Sequence, residues 1–225
     1  MVPSSNTLQT SQSAQLPEKE ERVAPRVMRR LLRGVAVVIR HWKKLTPFCL
    51  YPIIASCLGI AAVTSEERSV GRVFLLIVLG LLSWSFGEYV IHRFALHFDS
   101  HRKRFRYMHT LHLAHHDDPQ AVDQLFLSIR LSAPSAAGYC LLAWAILDWQ
   151  SMSYLFIGVV AGYCCYEWLH FQAHHGASRM FPLRYLKKYH LLHHGETPNL
   201  RFGVTSPLFD YLFGTYQSAT HRQRF

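Results

Sequence analysis

Histidines recur in this chain at spacings that suit metal binding. His112, His115 and His116 stand as i, i+3 and i+4, and His190, His193 and His194 repeat that HxxHH pattern. His170 and His174 are four apart, and His92 and His97 are five apart. Imidazole is a good ligand for zinc, iron, copper or nickel. Ten such side chains exceed the four of a tetrahedral structural zinc site, so two adjacent metal ions are the economical reading.

Residues three and four apart share one face of an α-helix. At about 100° per residue, the second and third members of each trio straddle the first by roughly 60° on one side and 40° on the other. Each trio can therefore serve two ions side by side. His92 and His97 point about 140° apart on a regular helix, and the expectation is that they serve different ions. One HxxHH arises by chance, but two of them with HxxxH and HxxxxH in one short chain form a far more specific signal.

The other histidines and nearby acids read differently. His109, three residues before His112, is a candidate ligand or outer donor, with solvent- or substrate-facing packing the equal alternative. His175 points away from the His170 and His174 face, and His41, His101 and His221 lie in basic segments; none of these four is expected to bind metal. Glu88 is four residues before His92, and Glu167 three before His170. Carboxylates are costly at membrane depth, and metal-bound imidazoles commonly donate their second N–H to a carboxylate. Orientation of the ligands is the leading role for both, with snorkelling or pairing to Lys or Arg as the alternative. Asp117, Asp118 and Pro119 fit a turn that ends a helix.

The elements that position these side chains are apolar helices. Half of the 225 residues are hydrophobic, concentrated in blocks. Four stretches, 45–63, 70–91, 131–149 and 152–169, approach the roughly 20 residues that cross a bilayer. VFLLIVLGLLSWSFG in the second has no polar face, unlike a surface helix of a soluble bundle. The spacing thus predicts an all-α integral membrane protein with four transmembrane helices, the last two forming a tight hairpin, and a histidine-rich helical cap. Residues 1–21 are polar and without periodicity and are expected to be disordered. Residues 22–44 read as a basic amphipathic helix lying on the membrane surface, and 45–225 as the membrane domain.

Charge supplies an independent test of this map. The net charge is +10, but the basic residues flank apolar blocks instead of forming one stripe, which argues against nucleic acid. Eight Lys and Arg lie in 22–44, six in 92–130 and seven after Leu169, against few in the other two turns. The positive-inside rule then puts both termini and every histidine cluster on the cytoplasmic side. The five cysteines sit in apolar blocks with no CxxC, and read as small buried hydrophobes.

HRFALH (92–97), HTLHLAHH (109–116), HFQAHH (170–175), YHLLHH (189–194) and the ending FGVTSPLFDYLFGT (202–215) resemble the fatty acid hydroxylase and sterol desaturase superfamily. The resemblance covers roughly residues 84–216, and HRFALH, HHDDP and GVTSPLFDYLFGT are similar to the fatty acid and sphingolipid 2-hydroxylases. The cytochrome b5 domain with an HPGG motif that often precedes those enzymes is not found in these 225 residues, and the interval between His97 and His112 is short for the group.

The resemblance implies a four-span fold with a cytoplasmic cap and O2-dependent attack on an unactivated C–H bond of a lipid. Its cofactor would be two iron ions, with zinc an alternative occupant after purification. Electrons would come from a separate cytochrome b5-like or ferredoxin-like protein. The membrane would be a bacterial inner membrane or the endoplasmic reticulum. Alternatives are a carotenoid or sterol-type hydroxylase or desaturase of the same superfamily, and a membrane metal transporter or sensor. The last is disfavoured because transporters place their ligands near the bilayer midplane, whereas these collect at one surface.

Overall fold

The computed structural model describes residues 46–65, 69–97, 103–176 and 180–218. The expected tail (1–21) and basic surface helix (22–44), together with His41, His101 and His221, lie outside the described residues. What is described falls within one compact unit, Lys43–Phe225.

The described secondary structure is helical throughout. α1 (Thr46–Ser65) is followed by α2 (Val70–Ile91), which continues into a π turn at His92–Leu96. Then come α3 (Lys103–Asp117), α4 (Val122–Leu125), α5 (Ile129–Ile146), α6 (Trp149–His175), α7 (Leu183–His194) and α8 (Leu208–Leu212). Four segments are long and apolar enough to cross a membrane: Thr46–Ser65, Val70–Leu96, Val122–Ile146 and Trp149–His175. α3 ends at Asp117, just before Pro119, as the pre-proline restriction expects. Only two residues separate α5 from α6, so the third and fourth spans form the expected hairpin. The fourth is longer than the apolar run alone, because α6 carries on through His170 and His174 to His175.

The second and fourth spans pack against each other through glycine. A Cβ placed on Gly80 would lie 2.1 Å from the Leu155 carbonyl oxygen, and one on Gly158 would lie 2.1 Å from that of Ile77. Close backbone approach between helices is how apolar spans gain contact in lipid, where no hydrophobic force drives them together. Beside this crossing, Trp84 covers Gly162 and meets the Tyr163 ring edge-on at 5.4 Å. Tyr163 in turn meets Tyr51 of α1 at 5.7 Å, and the Tyr51 hydroxyl donates to Ser132 Oγ of α5 at 2.7 Å. All four spans are thereby joined around one apolar cluster. The outward side chains of α2 and α5, among them Phe74, Leu75, Leu141 and Leu142, remain exposed, as lipid-facing residues would be.

At one end of the bundle, short polar contacts fix the turns. Ser69 caps α2 by accepting the Arg72 N–H, and Asp148 caps α6 by accepting the Ser151 N–H. Such side-chain acceptors satisfy donors that the first turn of a helix leaves unpaired. Arg72 reaches across to Asp148 at 3.5 Å, tying the α2 and α6 starts together. The opposite ends of the same two helices carry His92, His170 and His174.

Candidate metal centre

All ten histidines singled out by spacing come together, in two groups of five. His92, His97, His112, His116 and His193 form one; His115, His170, His174, His190 and His194 form the other. Within each group, the five nitrogens that could bind an ion lie within 4.8 Å of one another. The trios divide as the 100° rotation predicts. α3 sends His112 and His116 to the first group and His115 to the second, and α7 sends His190 and His194 to the second and His193 to the first.

The pairing of His92 with His97 differs from the expectation that they serve different ions: both belong to the first group. The reason is local. The chain leaves the α-helical ladder at His92, and the His97 N–H donates to the His92 carbonyl, five residues back, at 3.1 Å. Such a π turn aligns residues five apart, so the 140° divergence of a regular helix does not arise. Insertions of this kind concentrate at functional sites.

Glu88 and Glu167 also differ from the leading expectation. Among the described residues, neither belongs to a histidine group and neither carboxylate accepts from an imidazole. Glu88 instead accepts the N–H of Thr205 at 2.9 Å, together with the Val204 N–H and the Thr205 hydroxyl. Glu167 accepts the Leu127 N–H at 3.1 Å. Backbone carbonyls take the place expected for carboxylates: His92 Nδ1 lies 2.5 Å from the Phe202 oxygen and His193 Nδ1 2.7 Å from that of Leu200. His109 lies outside both groups, its Nδ1 meeting the Leu96 carbonyl at 2.7 Å, which ties α3 to the π turn. His175 is exposed and stacks on Phe171, away from both groups.

The loop that supplies these carbonyls was not singled out by spacing. Its sequence signal is the FGVTSPLFDYLFGT run (202–215), which contains no histidine. Asp210, fully buried, accepts the Phe202 and Gly203 N–H groups at 2.8 Å each and the Thr215 hydroxyl at 2.8 Å. Gly203 is required there because any Cβ would lie 2.1 Å from the Ser206 carbonyl. Just before it, Arg201 holds a left-handed backbone with φ 62, a region uncommon for a bulky residue.

The donor set fits metal ions. A neutral imidazole that gives its Nδ1–H to a carbonyl presents the Nε2 lone pair on its other side. His92 and His193 are both in that state, and the buried His193 Nε2 has no hydrogen-bond partner. Nε2 atoms of His92 and His112 approach to 3.1 Å, His112 and His97 to 2.9 Å, and His115 and His170 to 2.9 Å. Five converging acceptor-capable nitrogens in a buried space are satisfied by a cation more completely than by one another.

Burial also keeps the imidazoles neutral, the form that binds metal. Desolvation pushes His97 down to about 4 and His115 down to about 3, and holds His112, His190 and His193 well below the usual range. An unfolded histidine takes up a proton near pH 6.5. The metal-free folded chain therefore binds fewer protons than the unfolded chain as pH falls below that value, and stability is lost as pH drops through about 4. Thermal melts of chelator-treated protein should show a plateau above about pH 7 and a falling midpoint below about pH 6.5. A midpoint that rises on acidification would contradict this sign.

Comparisons with known proteins agree with this architecture. Residues 77–215 match the model of the fatty acid hydroxylase family. A dihydroceramide fatty acyl 2-hydroxylase of Arabidopsis thaliana is 31% identical over 75% of this chain and 71% of its own length. A ceramide very long chain fatty acid hydroxylase of Saccharomyces cerevisiae is 34% identical over 76% of this chain, which spans 44% of that longer protein. Among solved structures, full-length scs7p, in which only the hydroxylase domain is visible, superposes with a TM-score of 0.69 at 31% identity, covering 81% of this chain and 70% of that one. Four apolar spans, ten convergent histidines and a match over most of the helical unit lead to one conclusion: the chain belongs to the fatty acid hydroxylase family and is a membrane-bound hydroxylase.

Proposed function

We propose that this chain hydroxylates the acyl part of a membrane lipid at the carbon next to the carbonyl, with two iron ions held by the ten histidines. The observation that carries the reading is the pair of five-imidazole groups at one end of an apolar four-span bundle. The Arabidopsis relative, named a dihydroceramide fatty acyl 2-hydroxylase, supports the substrate class and the position of attack, and the yeast relative, named a ceramide very long chain fatty acid hydroxylase, supports the substrate class. Iron is the metal proposed because the reaction is redox chemistry, for which zinc is inert.

When bound, the iron ions supply the activation of O2 and the oxidation of an unactivated C–H bond. One oxygen atom enters that bond and the other leaves as water, so two electrons and two protons must arrive from outside. A cytochrome b5-like or ferredoxin-like protein is the proposed donor. The chain's own residues hold and shield the site. His92 and His193 are oriented by the Phe202 and Leu200 carbonyls. The Phe202 ring packs on the imidazoles of His92, His97 and His193 at 5.7, 5.5 and 5.6 Å, closing the first group against water. A substrate chain lying along the exposed apolar faces of the spans reaches this end without leaving hydrocarbon.

The distribution of Lys and Arg supports a cytoplasmic location for the histidine end. A lipid comparison tests the whole reading. Cells expressing the wild-type chain should accumulate acyl lipid heavier by one oxygen, and cells expressing His193→Ala should not. Unchanged lipids with a fully metal-loaded protein would overturn the acyl assignment, and a modified polyprenoid or sterol would replace it. In sealed vesicles of known orientation, activity should require reductant on the cytoplasmic face; support from the other face would reverse the topology.

A further inference from the structure

Outside the histidines, Glu88 is a buried polar side chain near the site whose role the metal groups do not explain. It lies one helical turn before His92 on α2, it is 6% exposed, and its three hydrogen bonds among the described residues go to the segment 204–205. That segment continues a loop whose two inner carbonyls are already committed. Leu200 receives His193 Nδ1 and Phe202 receives His92 Nδ1. Both imidazoles belong to the first histidine group and neither to the second. The loop is thus pinned at one side by Asp210, through the N–H groups of Phe202 and Gly203, and at the other by Glu88.

The carbonyl that accepts an imidazole N–H fixes the ring's tautomer and plane, and partners of this kind weigh heavily in metal affinity. A carboxylate that fixes the carbonyl acts on the same property at one remove. We propose that Glu88 is a positioning residue for one metal ion of the two: by clamping the loop 200–205, it sets His92 and His193 and leaves the ion of the other group unaffected. This rests on the reading of the histidines as metal ligands. The acceptor oxygen is what the clamp needs, because each of its three partners donates a hydrogen. Gln in this place retains an acceptor for the Val204 and Thr205 N–H groups, whereas Ala retains none.

The test uses the full chain purified in detergent, stripped of metal and titrated with Zn2+ alone, with size-exclusion profiles to check folding. Wild type should take up two equivalents. Glu88→Ala should keep one tight equivalent and bind the other about 10–100-fold more weakly, and Glu88→Gln should recover most of that loss. Adding His193→Ala to Glu88→Ala should still leave one tight equivalent, since both changes act on the same group. Adding His174→Ala should leave none. Two wild-type affinities in Glu88→Ala, equal weakening of both equivalents in a folded protein, or Glu88→Gln as impaired as Glu88→Ala would each overturn the proposal. If Glu88→Ala does not fold, Thr205→Val removes one of the three donors: a weaker single equivalent supports the clamp, and two unchanged affinities overturn it. A wild type that binds no Zn2+ would instead strike at the metal reading itself.

Discussion

Purified with its metals, the His193→Ala protein is expected to carry one ion fewer than wild type, and the His194→Ala protein to lose the other ion instead. The two residues are neighbours in sequence, yet they face different groups, His193 with His92, His97, His112 and His116, and His194 with His115, His170, His174 and His190. Hydroxylation should fall by more than about 100-fold in either variant, beyond what loss of an outer-sphere partner costs. The informative part is the complementarity. In the double variant both ions should be absent, whereas two substitutions within one group, such as His193→Ala with His116→Ala, should still leave one ion bound. Metal analysis on matched, monodisperse samples reads this directly. Loss of both ions from each single variant would show that the ten imidazoles form one indivisible centre, and the two-group division would have to be abandoned.

The second large effect lies far from any ligand. Gly80→Leu should abolish assembly of the helical unit, and Gly80→Ala should already destabilise it by about 3 kcal/mol, the upper part of the range for overpacking. Space for a side chain is absent because the atom it meets is the Leu155 backbone carbonyl, at 2.1 Å, and backbone cannot swing aside as a side-chain tip can. Gly158→Ala should behave alike, being the reciprocal half of the same crossing. Gly87 serves as the control: it is on the same helix, a Cβ there meets nothing within 4 Å, and Ala is the better helix former by about 1 kcal/mol. Gly87→Ala should therefore melt at or above the wild-type temperature. Equal melting temperatures for Gly80→Leu and wild type, measured in detergent, would contradict the glycine contact.

Much of the site was legible because its rules are local. The HxxHH trios divide by rotation about a helix axis, a property of the backbone alone, and His112, His115 and His116 fall as that rotation requires. The four spans were legible because lipid demands uninterrupted apolar length, which Val70–Ile91 displays openly. What could not be read depended on conformation or on distant chain. A regular α-helix would send His92 and His97 to separate ions, whereas the chain makes a π turn there. Helical spacing sets Glu88 beside His92 along α2, but its partners lie 116 and 117 residues away, in a loop whose path no periodicity announces. Gly80 and Gly158 carry no sequence signal for a similar reason: other glycines, Gly87 and Gly162, share their helices, and only the mutual approach of this pair gives it meaning.

The crossed contribution of α3 and α7 bears on how the protein is made. Each group takes histidines from α7, the last long helix, and from much earlier in the chain, reaching back to His92 in the first group and to His115 in the second. Translation proceeds from the N-terminus and earlier segments can settle before later ones exist. Neither group is complete until His190, His193 and His194 have been made, and the loop carbonyls at Leu200 and Phe202 follow later still. On the proposed reading, loading of both ions is therefore a late event in biosynthesis, and a chain halted before α7 would hold seven of the ten candidate histidines and neither group complete.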